Sequence, residues 1–237
     1  GNWLGDDDSS ARAIETLSAA GIDCSALRRQ ADTAAVTEVV LSSPAERTVF
    51  GTYRRLHAER AWNAPSHDAI RASRIVCLDP FFAGASQQAA TWCVEAGIPY
   101  VTVDAKPDSE IARRAEVLIV SEEFASRELG DTNADEVLTT YTDRCDGLVI
   151  LTHGSREVRY RRRLGPAGEF TPFPVEARDT TGAGDSFRAG VIHAMLRGSD
   201  DDELVRVGSA VAGLVCQSFP GVLHSPTLQE LTAFLDG

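Results

Sequence analysis

Short apolar runs alternate with amphipathic stretches through the middle of the chain, and this alternation restricts the fold more than any other feature. Strands are predicted at residues 74–78, 98–103, 117–120 and 148–152, with helices at 86–96 and 135–144 between them. Strands that alternate with helices form parallel sheets that carry helices on both faces. The sequence therefore predicts an α/β fold with a mostly parallel sheet in a three-layer α/β/α arrangement.

The two ends of the chain extend this pattern, with one exception. Helices are predicted at residues 6–20, 183–197, 201–218 and 227–235, and short strands at 158–162 and 170–175. The exception is a pair of alternating, β-branched runs at 34–41 and 48–55, which predicts a hairpin. We interpret this hairpin as a small β lid, inserted at about residues 34–56 of a single domain that spans 1–237.

Composition excludes several classes of partner. A content of 43% hydrophobic residues is typical of soluble globular proteins, and we expect no membrane partner because no apolar run reaches about 18 residues. The net charge of −12 argues against a nucleic-acid surface. Lys106 is the only lysine and precedes Pro107, so the chain has no lysine-containing P-loop. Five cysteines without a C-x-x-C pair disfavour a zinc site and a disulfide framework, and favour a cytoplasmic location.

Residues 179–187, with the sequence DTTGAGDSF, join a glycine-rich turn to the start of a predicted helix. Backbone amides at such a turn and the positive end of the helix dipole form an anion site. A carboxylate there repels a phosphate, so Asp185 makes chemical sense where a phosphoryl group is transferred and a proton is also accepted. The alternative is a structural turn with a helix cap.

The same segment resembles the signature D-T-x-G-A-G-D-x-F of the ribokinase-like (PfkB) family of sugar kinases, and it matches at every defined position. The resemblance implies that Asp185 is the catalytic base and contacts the substrate, and that the backbone of Gly182, Ala183 and Gly184 forms the anion hole. It also implies ATP and Mg²⁺ as cofactors and a small-molecule sugar as substrate. We further expect a homodimer formed through the lid, because a two-stranded ribbon is marginal alone and this one has an apolar face, supplied by Val36, Val39, Leu41, Val49 and Tyr53.

Other segments resemble the family less closely. Residues 149–154 are similar to a strand and turn, T-x-G-x-x-G, that contacts the nucleotide, which implies nucleotide-binding roles for Thr152, Gly154 and Gly213. Glu157 replaces the second glycine of that turn. Residues 46–49 resemble the lid strand that reaches over the sugar, with Arg47 as a substrate-binding residue. The family's opening strands have no counterpart, so either the chain is a fragment or the sequence omits them.

Residues 121–124 depart from the N-x-x-E pattern that many members carry near Mg²⁺. Ser121 stands at the Asn position, a variation that resembles the ketohexokinase-like branch and suggests a ketohexose or related furanose substrate. Glu122 and Glu123 can hold Mg²⁺ through water, or they can simply form an acidic first helical turn. Asp179 and Thr181 match positions associated with a monovalent cation such as K⁺.

For Arg188 and Asp79, the sequence allows two roles each. Arg188 shares a helix face with Asp185 and can contact a phosphate or pair with that carboxylate. Asp79 follows a strand and can face the sugar pocket or form a turn.

We interpret the sequence as an ATP-dependent sugar kinase. The alternatives are a catalytically inactive nucleotide- or sugar-binding relic, and a related kinase that acts on a nucleoside or another alcohol. A dinucleotide-binding oxidoreductase is disfavoured, because Phe187 occupies the place of the third glycine of G-x-G-x-x-G.

Overall fold

The structure is a computed structural model that describes residues 3–31, 38–42, 47–51 and 65–237. Its N-terminal part contains β1 (Trp3–Gly5), α1 (Asp8–Ala19), β2 (Arg28–Gln30), β3 (Glu38–Ser42) and β4 (Arg47–Gly51). The following elements are, in chain order, α2 (His67–Arg71), β5 (Val76–Leu78), α3 (Gly84–Ala96), β6 (Tyr100–Val103), α4 (Glu110–Arg113), β7 (Val117–Ser121), α5 (Glu122–Leu129), α6 (Ala134–Thr142), β8 (Leu148–Thr152), β9 (Val158–Arg161), β10 (Ala167–Phe170), α7 (Ala183–Leu196), α8 (Asp201–Cys216) and α9 (Leu228–Asp236).

The central feature is a six-stranded sheet with the order β10-β9-β8-β7-β6-β5. The four strands β5 to β8 are parallel, and β9 and β10 continue the sheet in antiparallel pairing. The carboxyl ends of the four parallel strands therefore lie at one edge of the sheet. The prediction of a mostly parallel sheet is confirmed.

Helices cover both faces of this sheet, as the continuous apolar strands predicted. Along β7, Val117 and Ile119 pack with α7, α8 and α9, whereas Leu118 and Val120 pack on the opposite face with α3 and α6. Successive residues of a strand point to opposite faces, so a run without polar residues requires apolar cover on both. The three layers follow from this requirement.

The strand predicted at 170–175 is wrong, because β10 ends at Phe170. Pro172 and Pro174 follow, and proline has no N–H to donate to a strand ladder. Phe173 instead contacts Phe170 and Phe234 through its ring. Apolar character alone placed this strand too far toward the C-terminus, since β10 spans Ala167–Phe170.

The predicted hairpin is confirmed where the structure describes it. β3 and β4 pair in antiparallel register from Glu38 opposite Gly51 to Ser42 opposite Arg47. The other residues of the predicted lid, 34–37, 43–46 and 52–56, lie outside the described ranges. β1 and β2 form a separate two-stranded parallel sheet that the sequence did not predict, because strands of three residues show no periodicity.

Within the described ranges, none of the helices combines the length and the apolar character that crossing a bilayer requires.

Candidate active site

The carboxyl edge of the parallel strands brings several polar residues together. Asp79 follows β5, Asp104 follows β6, and Ser121 and Thr152 are the last residues of β7 and β8. Ligands of open α/β sheets bind beyond this edge. Three of these four residues, Asp79, Ser121 and Thr152, were named from the sequence, and they lie where ligands of this fold bind.

Helix α7 starts without a side-chain cap, which is unusual in this chain. Among the nine described α-helices, seven have a side chain that accepts a first-turn N–H, at Asp7, Ser66, Ser109, Ser121, Asn133, Asp200 and Thr227. The cap position of α7 is Gly182, with φ +77°, and it offers no side chain. First-turn amides without a cap are donors for an anion.

The predicted anion hole is only partly open. The amide of Ala183 donates to the carbonyl of Thr180 at 3.2 Å. In the described part of the chain, the amides of Gly184 and Asp185 have no acceptor, and space around Gly184 is open. The available donors are thus centred on Gly184, and the carboxylate of Asp185, 75% exposed, extends from the same turn.

Arg188 pairs with the predicted base. Its Nη2 donates to Oδ1 of Asp185 at 2.7 Å, and only 16% of the Arg188 side chain is exposed. Of the two interpretations of Arg188, the structure supports the pairing with the carboxylate.

Asp79 was predicted either to form a turn or to face the sugar pocket. Its carboxylate accepts the amide of Phe81 at 3.0 Å, so it does form a turn. Burial raises the pKa of this carboxyl; the Phe81 hydrogen bond and then the charge of Arg188 oppose the shift, whereas Asp185 adds to it. Asp79 therefore also lies within the electrostatic reach of Asp185.

Asp104 is a site residue that the sequence did not reveal. Its Oδ1 accepts the amide of Ser121 at 2.8 Å, and its Oδ2 accepts the Ser121 hydroxyl at 3.1 Å. Its φ is +46°, a region in which non-glycine residues are strained and which occurs often at functional sites. Burial raises the pKa of Asp104, against the lowering effect of the Ser121 hydrogen bonds. The available signal was positional, because Asp104 follows β6 as Asp79 follows β5.

The predicted nucleotide turn lies at the end of β8. Gly154 has φ +66° and open space around it, and Nδ1 of His153 is 2.8 Å from the carbonyl oxygen of Glu157, so this turn closes without the second glycine. Arg156, which the sequence analysis did not single out, pairs with Glu122. The hydrogen bond from Arg156 lowers the pKa of Glu122. One of the two candidate Mg²⁺ carboxylates is therefore engaged, by a partner in the nucleotide turn.

The other candidates have contacts of their own or remain undescribed. Gly213 lies on α8 against Val175 and Phe234. Asp179 accepts the amides of Thr181, at 2.9 Å, and of Gly221, at 3.1 Å. No group of three His, Cys, Asp or Glu side chains suited to a metal occurs within the described ranges. The side chain of Arg47 lies outside the described residues.

Comparison with known proteins decides the family. Residues 2–228 match the pfkB family of carbohydrate kinases. The chain belongs to this family. Its members are phosphotransferases whose acceptor is an alcohol group, and they use ATP with Mg²⁺. Membership agrees with the match of residues 179–187 to the family signature.

Two curated relatives and one solved structure illustrate the similarity. The ATP-dependent ribose-1-phosphate kinase of Halopiger xanaduensis is 29% identical over 98% of this chain and 78% of that protein. The ribokinase of Haemophilus influenzae is 31% identical over 45% of this chain and 34% of that protein, so the match spans about a third of its length. The structure of Arabidopsis thaliana ribokinase, complexed with ribose and ATP, is 21% identical with a TM-score of 0.83, covering 100% of this chain and 81% of that chain. None of these three is a ketohexokinase.

Proposed function

We propose that this pfkB kinase transfers the γ-phosphoryl group of ATP to a sugar hydroxyl, with Asp185 as the general base. The observation that carries the proposal is the start of α7, where an exposed carboxylate extends from a turn whose amides have no side-chain cap. The amides attract a phosphoryl group, and the carboxylate accepts the proton that the acceptor must lose.

Each part of this turn has a distinct role. Asp185 accepts the proton as the hydroxyl oxygen bonds to phosphorus, since the alcohol becomes acidic only at that point. The bond from phosphorus to the leaving ADP oxygen breaks in the same transfer. The backbone of Gly182, Ala183 and Gly184 cradles the transferring group, and the free amide of Gly184 supplies a donor. Bound Mg²⁺ supplies charge neutralisation between the phosphates.

The nucleotide is proposed to lie across the ends of β7 and β8. Thr152 and the open turn at Gly154 would contact it. Gly213, which packs against Val175 and Phe234, is a proposed contact on the family resemblance alone. Glu122 and Glu123 would hold Mg²⁺ through water. Both partners of the Glu122–Arg156 pair are about half exposed, and exposed ion pairs contribute only about 0–1 kcal/mol, so this pair can open at little cost.

The acceptor is proposed to be a pentose in the furanose form, ribose or ribose 1-phosphate. The variation at Ser121 had suggested a ketohexose, but Ser121 donates to Asp104 and also caps α5 by accepting the amide of Phe124 at 3.1 Å. Local structure thus accounts for the serine, and it gives no information about the sugar. The names of the relatives favour ribose. Arg47 in the lid remains the proposed contact to this acceptor.

An ADP-release assay on the full-length protein tests the proposal. The panel contains ribose, ribose 1-phosphate, fructose and a nucleoside, each with ATP and Mg²⁺. We expect turnover with ribose or ribose 1-phosphate. Turnover only with fructose or only with the nucleoside would contradict the proposed acceptor and keep the kinase. Binding of ATP without turnover on any acceptor would favour an inactive relic instead.

Two accessory features are proposed as well. A monovalent cation such as K⁺ would bind at the loop of Asp179 and Thr181, where a carboxylate already braces two amides. Replacing KCl by tetramethylammonium chloride at equal ionic strength should then lower turnover. A homodimer would form through the hairpin, whose apolar side chains are exposed.

A further inference from the structure

We propose that Arg188 is the positioning residue for the catalytic base. The inference rests on the proposed role of Asp185. The guanidinium of Arg188 donates from Nη2 to Oδ1 of Asp185 at 2.7 Å, one helical turn along α7. Within the described ranges, Oδ2 accepts no hydrogen bond. The carboxylate is thus held by one oxygen, and the other is available to the hydroxyl of the acceptor.

The burial of the two partners distinguishes this pair from an ordinary surface ion pair. Arg188 is 16% exposed and Asp185 is 75% exposed, so the arginine is held against the protein and the carboxylate extends into solvent. The pair Arg113–Glu110 has the same spacing on α4, but its partners are 50% and 55% exposed. Two exposed side chains restrict each other weakly. A buried guanidinium restricts the rotamer of its partner, which is what an oriented base requires.

The remaining terminal nitrogen of Arg188 supports the same role. Its Nη1 is buried and has no partner within the described ranges. A buried donor without an acceptor costs free energy, and such a group in a native protein calls for a functional or structural reason. Nη2 is engaged by Asp185 and Nη1 is shielded from solvent, so neither terminal nitrogen is exposed to a phosphoryl group at this turn. Arg188 therefore acts through Asp185.

A double-mutant cycle tests this dependence in the kinase assay. Arg188→Met should lower kcat about 10- to 100-fold, with the KM values for ATP and sugar changed less than threefold, because orientation of the base affects the transition state more than binding. Arg188→Lys should recover part of the loss, since the charge returns without the planar fork. In an Asp185→Asn background, Arg188→Met should cause no further loss of the residual turnover. The matched control is Arg113→Met, which removes the same type of pair away from the site and should leave kcat unchanged.

Three outcomes would overturn the proposal. One is turnover of Arg188→Met within twofold of the wild type. The second is a loss of equal size in the Asp185→Asn background, which would mean that Arg188 contacts the phosphoryl group directly. The third is a loss that Arg188→Lys does not relieve and that accompanies a lowered melting temperature, which would mean a structural role. If the wild type shows no turnover, or Asp185→Asn retains it, the proposed function fails first, so the two failures are distinguishable.

Discussion

Three aspartates at the carboxyl edge of the sheet differ in how they are held, and the difference favours Asp185 as the proposed base. Asp79 and Asp104 accept backbone amides and are partly buried, and burial raises the pKa of both. Asp185 is the exposed one and is held by a guanidinium. A carboxylate that must meet an incoming hydroxyl needs both exposure and a fixed direction. Asp185 satisfies both conditions.

Replacing Asp185 tests its role directly. Asp185→Asn keeps the size of the side chain but removes the proton acceptor, so kcat should fall roughly 10²- to 10⁴-fold. The affinity for ATP, measured by calorimetry, should hold or improve because a negative charge near the phosphates is lost. Asp200→Asn is the control, since Asp200 caps α8 and Asn caps a helix about equally well. Near-normal turnover of Asp185→Asn would mean that Asp185 is only structural.

Asp104 gives a prediction about pH and stability. Because its pKa is raised in the native state, Asp104 keeps its proton to a higher pH in the native protein than in the unfolded chain. The contribution of Asp104 to the free energy of unfolding therefore decreases as the pH rises from the ordinary pKa of an aspartate through the raised pKa of the native state. Asn at this position does not titrate. The stability of Asp104→Asn relative to the wild type, measured as the difference in unfolding free energy, should therefore be higher at pH 7 than at pH 3.5. A difference that is constant between these two pH values would contradict the raised pKa.

The sequence revealed residues of the site only where a motif marks them. Asp185 and the glycine turn stand in one continuous segment, and their identities already imply an anion and a proton acceptor. Asp104 and Arg156 have partners 17 and 34 residues away in the chain. Those contacts depend on the order and register of the strands, which a single sequence does not contain.

At the scale of elements, glycines on helix α7 serve two different purposes. Gly184 lies in the first turn, where an added Cβ would meet no atom within 4 Å. Gly190 lies where α7 crosses α8, and its Cβ would approach Cα of Gly208 to 2.8 Å. The first position is free for a ligand, and the second lets two backbones come close together.

Alanine at these two glycines should separate function from packing. Gly184→Ala should be as stable as the wild type or gain up to about 1 kcal/mol, because alanine favours the helix. Its kcat/KM for ATP should nevertheless fall at least about tenfold, since a methyl group would stand where phosphate oxygens approach the amides. Gly190→Ala should lose about 1–3 kcal/mol of unfolding free energy by overpacking. Thermal melts and ADP release measure both; an active Gly184→Ala would argue against phosphate binding at this turn.

The positions of helices and strands could be predicted from the sequence where these elements are long and have a regular apolar pattern. The strand at 148–152 and the helix ending before Gly97 match the structure, because a buried apolar run and a left-handed glycine cap are strong local signals. The short elements β1, β2, α2 and α4 were missed, and α5 was foreseen only as an acidic first helical turn. Their existence depends on contacts with the rest of the molecule more than on local periodicity.

At the scale of the whole molecule, the chain carries a net charge of −12, and some of its few basic residues form ion pairs inside the fold. The arginines on and after β9 pair within the fold. Arg159 contacts Asp135 at 2.8 Å, and Arg162 contacts Asp201 at 2.8 Å and Glu116 at 3.2 Å. These pairs tie the antiparallel strands to the helices on either side, and they engage Arg159 and Arg162 with carboxylates, whereas Arg161 donates to the Thr142 hydroxyl.

The hairpin is the other feature at this scale, because one of its faces is apolar and exposed. Val39, Leu41 and Phe50 are 58%, 59% and 57% exposed, and the register places Val39 directly opposite Phe50. Two-stranded ribbons are marginal alone, and exposed apolar faces mark interaction sites. Of the other apolar residues expected on this lid, Val36, Tyr53 and the side chain of Val49 lie outside the described residues.

We therefore expect the full-length protein to be a dimer at micromolar concentration, with a light-scattering mass twice that of a single chain. Leu41→Lys should shift it to monomer, because a charge cannot be buried in an apolar interface without a partner. Leu164→Lys is the matched control, since Leu164 is 98% exposed in the β9–β10 turn and its replacement should leave the dimer intact. A wild-type monomer, or a dimer that Leu41→Lys leaves unchanged, would exclude the hairpin as the interface. If the hairpin also closes over the sugar, the monomeric variant should show a raised KM for the acceptor and a nearly unchanged KM for ATP. The reason is that the proposed nucleotide turn follows β8 in the six-stranded sheet, whereas the hairpin forms a separate sheet.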